Sequence, residues 1–142
     1  MILYADTSSL LKTYVDEAHS DDVHEWFACA DVVATSRVTY PETAAALSRR
    51  QRCGDLPVSS LRSVLRQLAR RWGDFMVVDL AEIRAGGLAV RHGLHGFDAV
   101  HLAAALTVRA AVGGDAVAVA SFDAALNRAA ADEGLIVLEP RD

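Results

Sequence analysis

Five short apolar runs, at residues 1–5, 32–34, 76–80, 116–120 and 135–138, are separated by longer stretches in which apolar residues return at helical spacing. This alternation constrains the fold more than any other feature. Runs of that length suit buried strands, and the intervening periodicity suits amphipathic helices. Leu10, Leu11, Tyr14 and Val15 form one helical set, and Val23, Trp26, Phe27 and Ala30 a second, with a polar break at 19–22 between them. Further helices are expected over 40–52, closed by Gly54, then from Pro57 on, with Val58, Leu61, Val64, Leu65, Leu68 and Trp72 on one face. Three more are expected over 81–91, weakened by Gly86 and Gly87, over 97–111 and over 124–132.

Strands joined through helices pair in parallel, and a parallel sheet is covered on both faces. The chain is therefore expected to be an α/β protein, a three-layer α/β/α sandwich with a central, mostly parallel sheet of about five short strands. With 142 residues, no linker and no internal repeat, it reads as one domain, long enough to bury its own core. Hydrophobic residues at 52% and only three prolines exclude a disordered chain. None of the apolar runs could span a bilayer, and the N-terminus lacks a basic segment followed by a signal core. A soluble cytoplasmic protein with no membrane partner is expected. Cys29 and Cys53 lie in unrelated contexts, give neither a disulfide framework nor a metal-ligand spacing, and read as ordinary small apolar residues. A formal net charge of −5 argues against coating nucleic acid by bulk electrostatics, but not against a carboxylate site whose field a divalent cation inverts.

In open parallel sheets ligands bind beyond the carboxyl ends of the strands, so polar residues directly after an apolar run are the first suspects. Asp6 ends the first run, in DTSSLLKTYV, and Asp123 stands two residues past Ser121, at the end of VAVASFD. Asp98 falls in the first turn of the helix within GFDAVHLAAAL, and Glu42 in the first turn of the helix within TYPETAAAL. Each has an ordinary explanation taken singly. Aspartate caps turns and helix starts, and Glu42, three residues after Thr39 with Pro41 between, fits a capping box. Gathered on one sheet edge, however, four carboxylates would repel one another unless a cation offset them. Oxygen donors without a cysteine or histidine cluster suit Mg²⁺ or Mn²⁺, not zinc.

The D-T-S after the first strand, the T-x-x-E opening a helix, the block F-D-A-V-H-L-A-A-A and the S-F-D after a late strand resemble the PIN-domain family, in order and spacing, from Met1 to about Leu138. The D-A-x-H-L-A-x-A block is the most specific part. A compact chain of this size is similar to the toxin subunits of VapBC-type toxin–antitoxin pairs. The resemblance implies a Mg²⁺-dependent endoribonuclease, with Mn²⁺ able to replace Mg²⁺, that hydrolyses RNA (tRNA, rRNA or mRNA) to inhibit translation and growth. It also implies a cognate antitoxin as partner and a homodimer. By the same resemblance Asp6, Asp98 and Asp123 bind metal, Glu42 completes the catalytic acidic set, and Ser8 and Ser121 occupy the family's small hydroxyl positions. Such hydroxyls orient a carboxylate or its water, and a helix cap or turn is the alternative. The competing function is a catalytically silent RNA- or protein-binding PIN module. An aspartyl phosphotransferase of the haloacid-dehalogenase kind would need an acid two places after Asp6, where Ser8 stands.

His101, three residues after Asp98, lies on the same helical side, but its alanine and leucine neighbours favour a packed histidine donating to a backbone or carboxylate group over a general base. His92 and His95 flank Gly93 near the Asp98 edge and read equally as substrate contacts or surface residues. Arg62, Arg66 and Arg70 recur every four residues opposite the apolar face of their helix, and Arg49, Arg50 and Arg52 cluster at the preceding helix end. RNA phosphates are one use for these cations. A solvated face, and for the second group a helix C-terminus, is the other.

Overall fold

The computed structural model describes residues 1–113 and 116–142. All five expected strands are present: β1 (Ile2–Ala5), β2 (Val32–Ser36), β3 (Met76–Val78), β4 (Val117–Ala120) and β5 (Ile136–Val137). They form one sheet in the order β3-β2-β1-β4-β5, with every ladder parallel. The helices are α1 (Thr7–Lys12), α2 (Ser20–Cys29), α3 (Thr39–Arg52), α4 (Val58–Arg71), α5 (Glu82–His92), α6 (Gly96–Val112) and α7 (Ala124–Asp132), with a 3₁₀ turn at Trp72–Asp74.

The order places β1 at the centre. From β1 the chain steps outward through β2 to β3, then crosses to β4 on the other side of β1 and steps out again to β5. With right-handed crossovers, the helices of the first half fall on one face and those of the second half on the other. The packing agrees: α1 lies on β1, α2 and α3, while α6 packs on β2, β3 and β4 together with α5 and α7. A reversal of strand order of this kind opens a crevice at the strand ends, here between β1 and β4. Register fixes what faces it: Ala5 pairs with Ala120, and the Asp6 amide donates to the Ala120 carbonyl at 3.2 Å, so Asp6 and Ser121 emerge side by side.

The α6 helix anchors the core. Ala99, Ala103, Ala104 and Ala105 are at most 3% exposed, and these small side chains let the helix lie close to the sheet. Leu102 and Leu106 fill the space against Tyr4, Val117 and Val119. Each such leucine contributes about 1.5–3 kcal/mol by leaving water.

Several expectations are corrected in detail. The β3 strand stops at Val78, leaving Asp79 to pair with Arg37 and Leu80 47% exposed. The α1 helix ends at Lys12, with the Thr13 hydroxyl donating to the Leu10 carbonyl, so Tyr14 and Val15 lie past its end. On α4 the apolar face exists, but only Leu68 is buried and Val58 is half exposed. Among the described residues α4 packs chiefly on α3 and the 3₁₀ turn, which is too little to cover that face. Cys29 and Cys53 are exposed free thiols, not packed apolar residues. No helix among the described residues is long and apolar enough to cross a membrane.

Candidate active site

Asp6 is 4% exposed at the end of β1, where its carboxylate caps α1 by accepting from the Ser9 amide at 3.0 Å. Two hydroxyls also donate to it, Ser8 at 2.7 Å and Ser121 at 2.6 Å. Both serines tie the β1 edge to the β4 edge. Ser8 accepts from the Phe122 amide at 2.9 Å, and Ser121 accepts from the Asp123 amide at 3.1 Å. The cap and the carboxylate-orienting hydroxyl, alternatives in the sequence, thus coexist in one network. Asp123 caps α7 through the Leu126 amide at 2.7 Å. Asn127 donates to the Ser121 carbonyl at 2.9 Å and holds this turn from the next helix.

Glu42 does not close the capping box that its sequence suggests. The Thr39 hydroxyl turns instead to Thr35, at 2.8 Å, and α3 begins without a side-chain cap. The Glu42 carboxylate reaches across the crevice, accepting from the Thr7 hydroxyl at 2.7 Å and from His101 Nε2 at 2.8 Å. On the far side of the same imidazole, Nδ1 meets the Tyr4 hydroxyl at 2.8 Å. Tyr4 is fully buried and His101 is 3% exposed. The partners fix the tautomer: an ionised carboxylate only accepts, so Nε2 carries the proton, and Nδ1 accepts from the phenol. His101 is therefore a packed histidine donating to a carboxylate.

The electrostatics divide the acids. Burial pushes the Glu42 carboxyl up, but the hydrogen bonds from His101 and Thr7 outweigh it and hold the group below its ordinary range. Burial also raises the Tyr4 phenol well above its ordinary value, helped by the charges of Asp6 and Glu42, so it stays a neutral donor. Asp98 is the exception. Burial, then the neighbouring charges of Asp123 and Asp6, push its carboxyl up, with His101 and His95 opposing only in part. No protein donor serves the Asp98 carboxylate among the described residues, and no three acids or histidines there converge closely enough to hold an ion as they stand. Like charges without a counter-charge have reason to stand apart. The donor chemistry, all carboxylate oxygen with one free member in a negative field, fits a hard divalent cation.

The other sequence candidates make no hydrogen bond to these acids among the described residues. Arg62, Arg66 and Arg70 are exposed along α4. His92 is half-buried and pairs with Glu133 at 2.7 Å, which makes it a tie between α5 and the end of α7, while His95 caps nothing at the exposed start of α6. Arg50 is committed to Glu17. Sequence reading passed over Tyr4 and Thr7. A usable signal existed for Tyr4, since it stands two residues before Asp6 and so shares a strand face with it.

Comparison with known proteins gives a consistent result. The PIN domain family matches residues 3–132. Ribonuclease VapC45 of Mycobacterium tuberculosis is 36% identical over 132 residues, covering 91% of this chain and 89% of that protein. Among solved structures, the sarcin-ricin loop cleaving toxin VapC20 of Mycobacterium tuberculosis superposes with a TM-score of 0.67 at 20% identity, over 97% of this chain and 99% of that one. A toxin–antitoxin complex from Klebsiella pneumoniae superposes with a TM-score of 0.61 at 16% identity, over 100% and 99%. The parallel sheet, the acids at its switch point and a match that runs nearly end to end place this chain in the PIN-domain family.

Proposed function

We propose that the protein is a divalent-cation-dependent endoribonuclease of the toxin type, restrained by an antitoxin. The observation that carries this is the set Asp6, Asp98 and Asp123 at the switch-point crevice, with Asp98 lacking a protein donor among the described residues and pushed up by burial and then by its acidic neighbours. The 36% identity to a curated ribonuclease supports RNA as the substrate class. Asp6, Asp98 and Asp123 would hold the cation, Mg²⁺ or Mn²⁺, with Asp6 fixed in orientation by Ser8 and Ser121. When bound, the cation lowers the pKa of a water and offsets charge growing on the phosphate. Glu42, kept ionised by His101 and Thr7, would accept a hydrogen bond from the attacking water and orient it.

An antitoxin would block the same crevice, and a basic side chain entering between the acids is the simplest lock. The toxin–antitoxin complex among the structural neighbours supports such a partner. The partly uncovered apolar side of α4 is a surface on which a homodimer could form. Along the opposite side, Arg62, Arg66 and Arg70 would receive RNA phosphates. Replacing all three with glutamine is then expected to reduce the salt slope of single-stranded RNA binding by about 2, at roughly 0.7 per phosphate contact. An unchanged slope would return the stripe to a solvated face.

The test of the function is cleavage of a panel of structured RNAs by purified, partner-free protein in Mg²⁺, in Mn²⁺ and in EDTA. Cutting is expected with either cation, to disappear in EDTA and to return when the cation is restored. RNA binding without cutting in any condition would favour the silent binding module.

A further inference from the structure

A cavity of about 610 Å³ opens beside the acids, between the start of α3 and the start of α6. Its walls are the apolar side chains of Val38, Pro41, Ala45 and Phe97, it ends at Glu42 and Thr7, and Arg49 stands on its rim. Phe97 is 59% exposed, an unusual cost for a ring that immediately precedes a site acid. Pro41 likewise immediately precedes Glu42, so anything in the cavity lies one residue from two members of the acidic set. Arg49 is seven residues after Glu42 on α3, two turns along one face, and forms no ion pair among the described residues.

We propose that this cavity is a nucleobase subsite that seats the nucleotide next to the cleaved bond, its base on Phe97 and its outer phosphate on Arg49; the proposal rests on the ribonuclease reading above. Charge complementarity selects this occupant. A nucleotide within a strand is a flat, largely apolar base flanked by phosphates, and the cavity is an apolar slot with a guanidinium at one end and a site suited to a cation-bound phosphate at the other. An apolar side chain from a protein partner would fill the slot but leave Arg49 without an anion. A stacking contact tolerates any base, while the apolar walls that include Pro41 and Phe97 rank bases by size and shape, so the subsite sets preference at one position.

The test uses four variants, Ala45→Phe to plug the slot, Phe97→Ala to remove the stacking face, Phe97→Tyr to retain it, and Arg49→Gln. Cut ends from a random-sequence RNA pool in Mg²⁺ give the preference, and binding of a fluorescein-labelled random hexaribonucleotide, in an Asp6→Asn background, gives affinity without cutting. Ala45→Phe and Phe97→Ala are expected to weaken binding and raise KM about tenfold or more, the loss that one stacked base carries, and to flatten preference at a single position beside the cut. Phe97→Tyr should behave as wild type, and Arg49→Gln should lower the salt slope by about 0.7. If the wild-type slot does not cut RNA but the plug still abolishes hexamer binding, the ribonuclease reading fails and the subsite stands. If the wild type cuts and the plugged and Phe97→Ala proteins cut and bind as it does, the subsite is overturned. The same holds if those variants lose only a purified protein partner.

Discussion

Replacing Asp98 with asparagine is expected to reduce RNA cleavage by about 10³-fold or more while raising the melting temperature of the cation-free protein. The two effects have one cause. Asp98 carries a carboxylate that no protein donor serves among the described residues, partly buried and in the field of Asp123 and Asp6. Its folded pKa lies above the unfolded value, so relative to the neutral acid the ionised group opposes folding at neutral pH. That penalty fades as pH falls through the folded pKa and is absent below the unfolded value of 3.8. Asparagine keeps the shape without the charge, so the cation-free fold relaxes and its stability loses that pH dependence. The cation needs the same charge. Losing a ligand that acts in the transition state costs several kcal/mol, and about 4 kcal/mol is a thousandfold in rate. Thermal melts separate the effects: in the wild type, Mg²⁺ or Mn²⁺ at a hundredfold excess over Kd stabilises by about 2.7 kcal/mol, a shift of roughly 5–10 °C. The Asp98→Asn protein should melt higher without cation and shift little with it. A lower cation-free melting temperature would mean that the Asp98 carboxylate holds the fold together and is not strained by its neighbours.

What could be read from the sequence follows the range of the interaction responsible. Asp6 and Asp123 were legible because an apolar run that stops at an acid marks a strand end, and in a parallel sheet strand ends share an edge. Their neighbourhood followed from β1 and β4 pairing in register, which no local pattern states. Glu42 shows the opposite case. Its spacing from Thr39 and Pro41 is a good local signal for a capping box, yet the carboxylate bonds to His101, 59 residues away. The cap is worth about 1 kcal/mol at an exposed helix start, and a charge-assisted bond to a buried imidazole exceeds that. His101 was readable as a packed donor from its alanine and leucine neighbours, but the identity of its acceptor was not. The α4 face failed for a related reason: periodicity reports that a face is apolar, not that a partner element covers it.

His101→Ala is expected to destabilise the protein by about 3–5 kcal/mol, the largest loss from any single site side chain. It creates a cavity under α6 and leaves the fully buried Tyr4 hydroxyl without its acceptor. A buried polar group orphaned in this way costs about 1–3 kcal/mol, and the emptied volume supplies the rest. Glu42 loses its imidazole partner as well. In the wild type its depressed pKa gives stability that is present above the ordinary carboxyl value of 4.5 and is lost as pH falls through the folded value. The variant should therefore lose less on acidification through the carboxyl range, as denaturant melts taken at successive pH values below the ordinary carboxyl value would show. Tyr4→Phe alone removes one hydrogen bond and should cost about 1–2 kcal/mol. In the His101→Ala background the same change removes an orphan, so it should cost little or even restore stability. A coupling of about 1 kcal/mol or more in this double-mutant cycle would establish that phenol and imidazole act as a unit. Costs that add to within about 0.5 kcal/mol would break the chain from the core to Glu42, leaving Thr7 as the group that holds the acid in place.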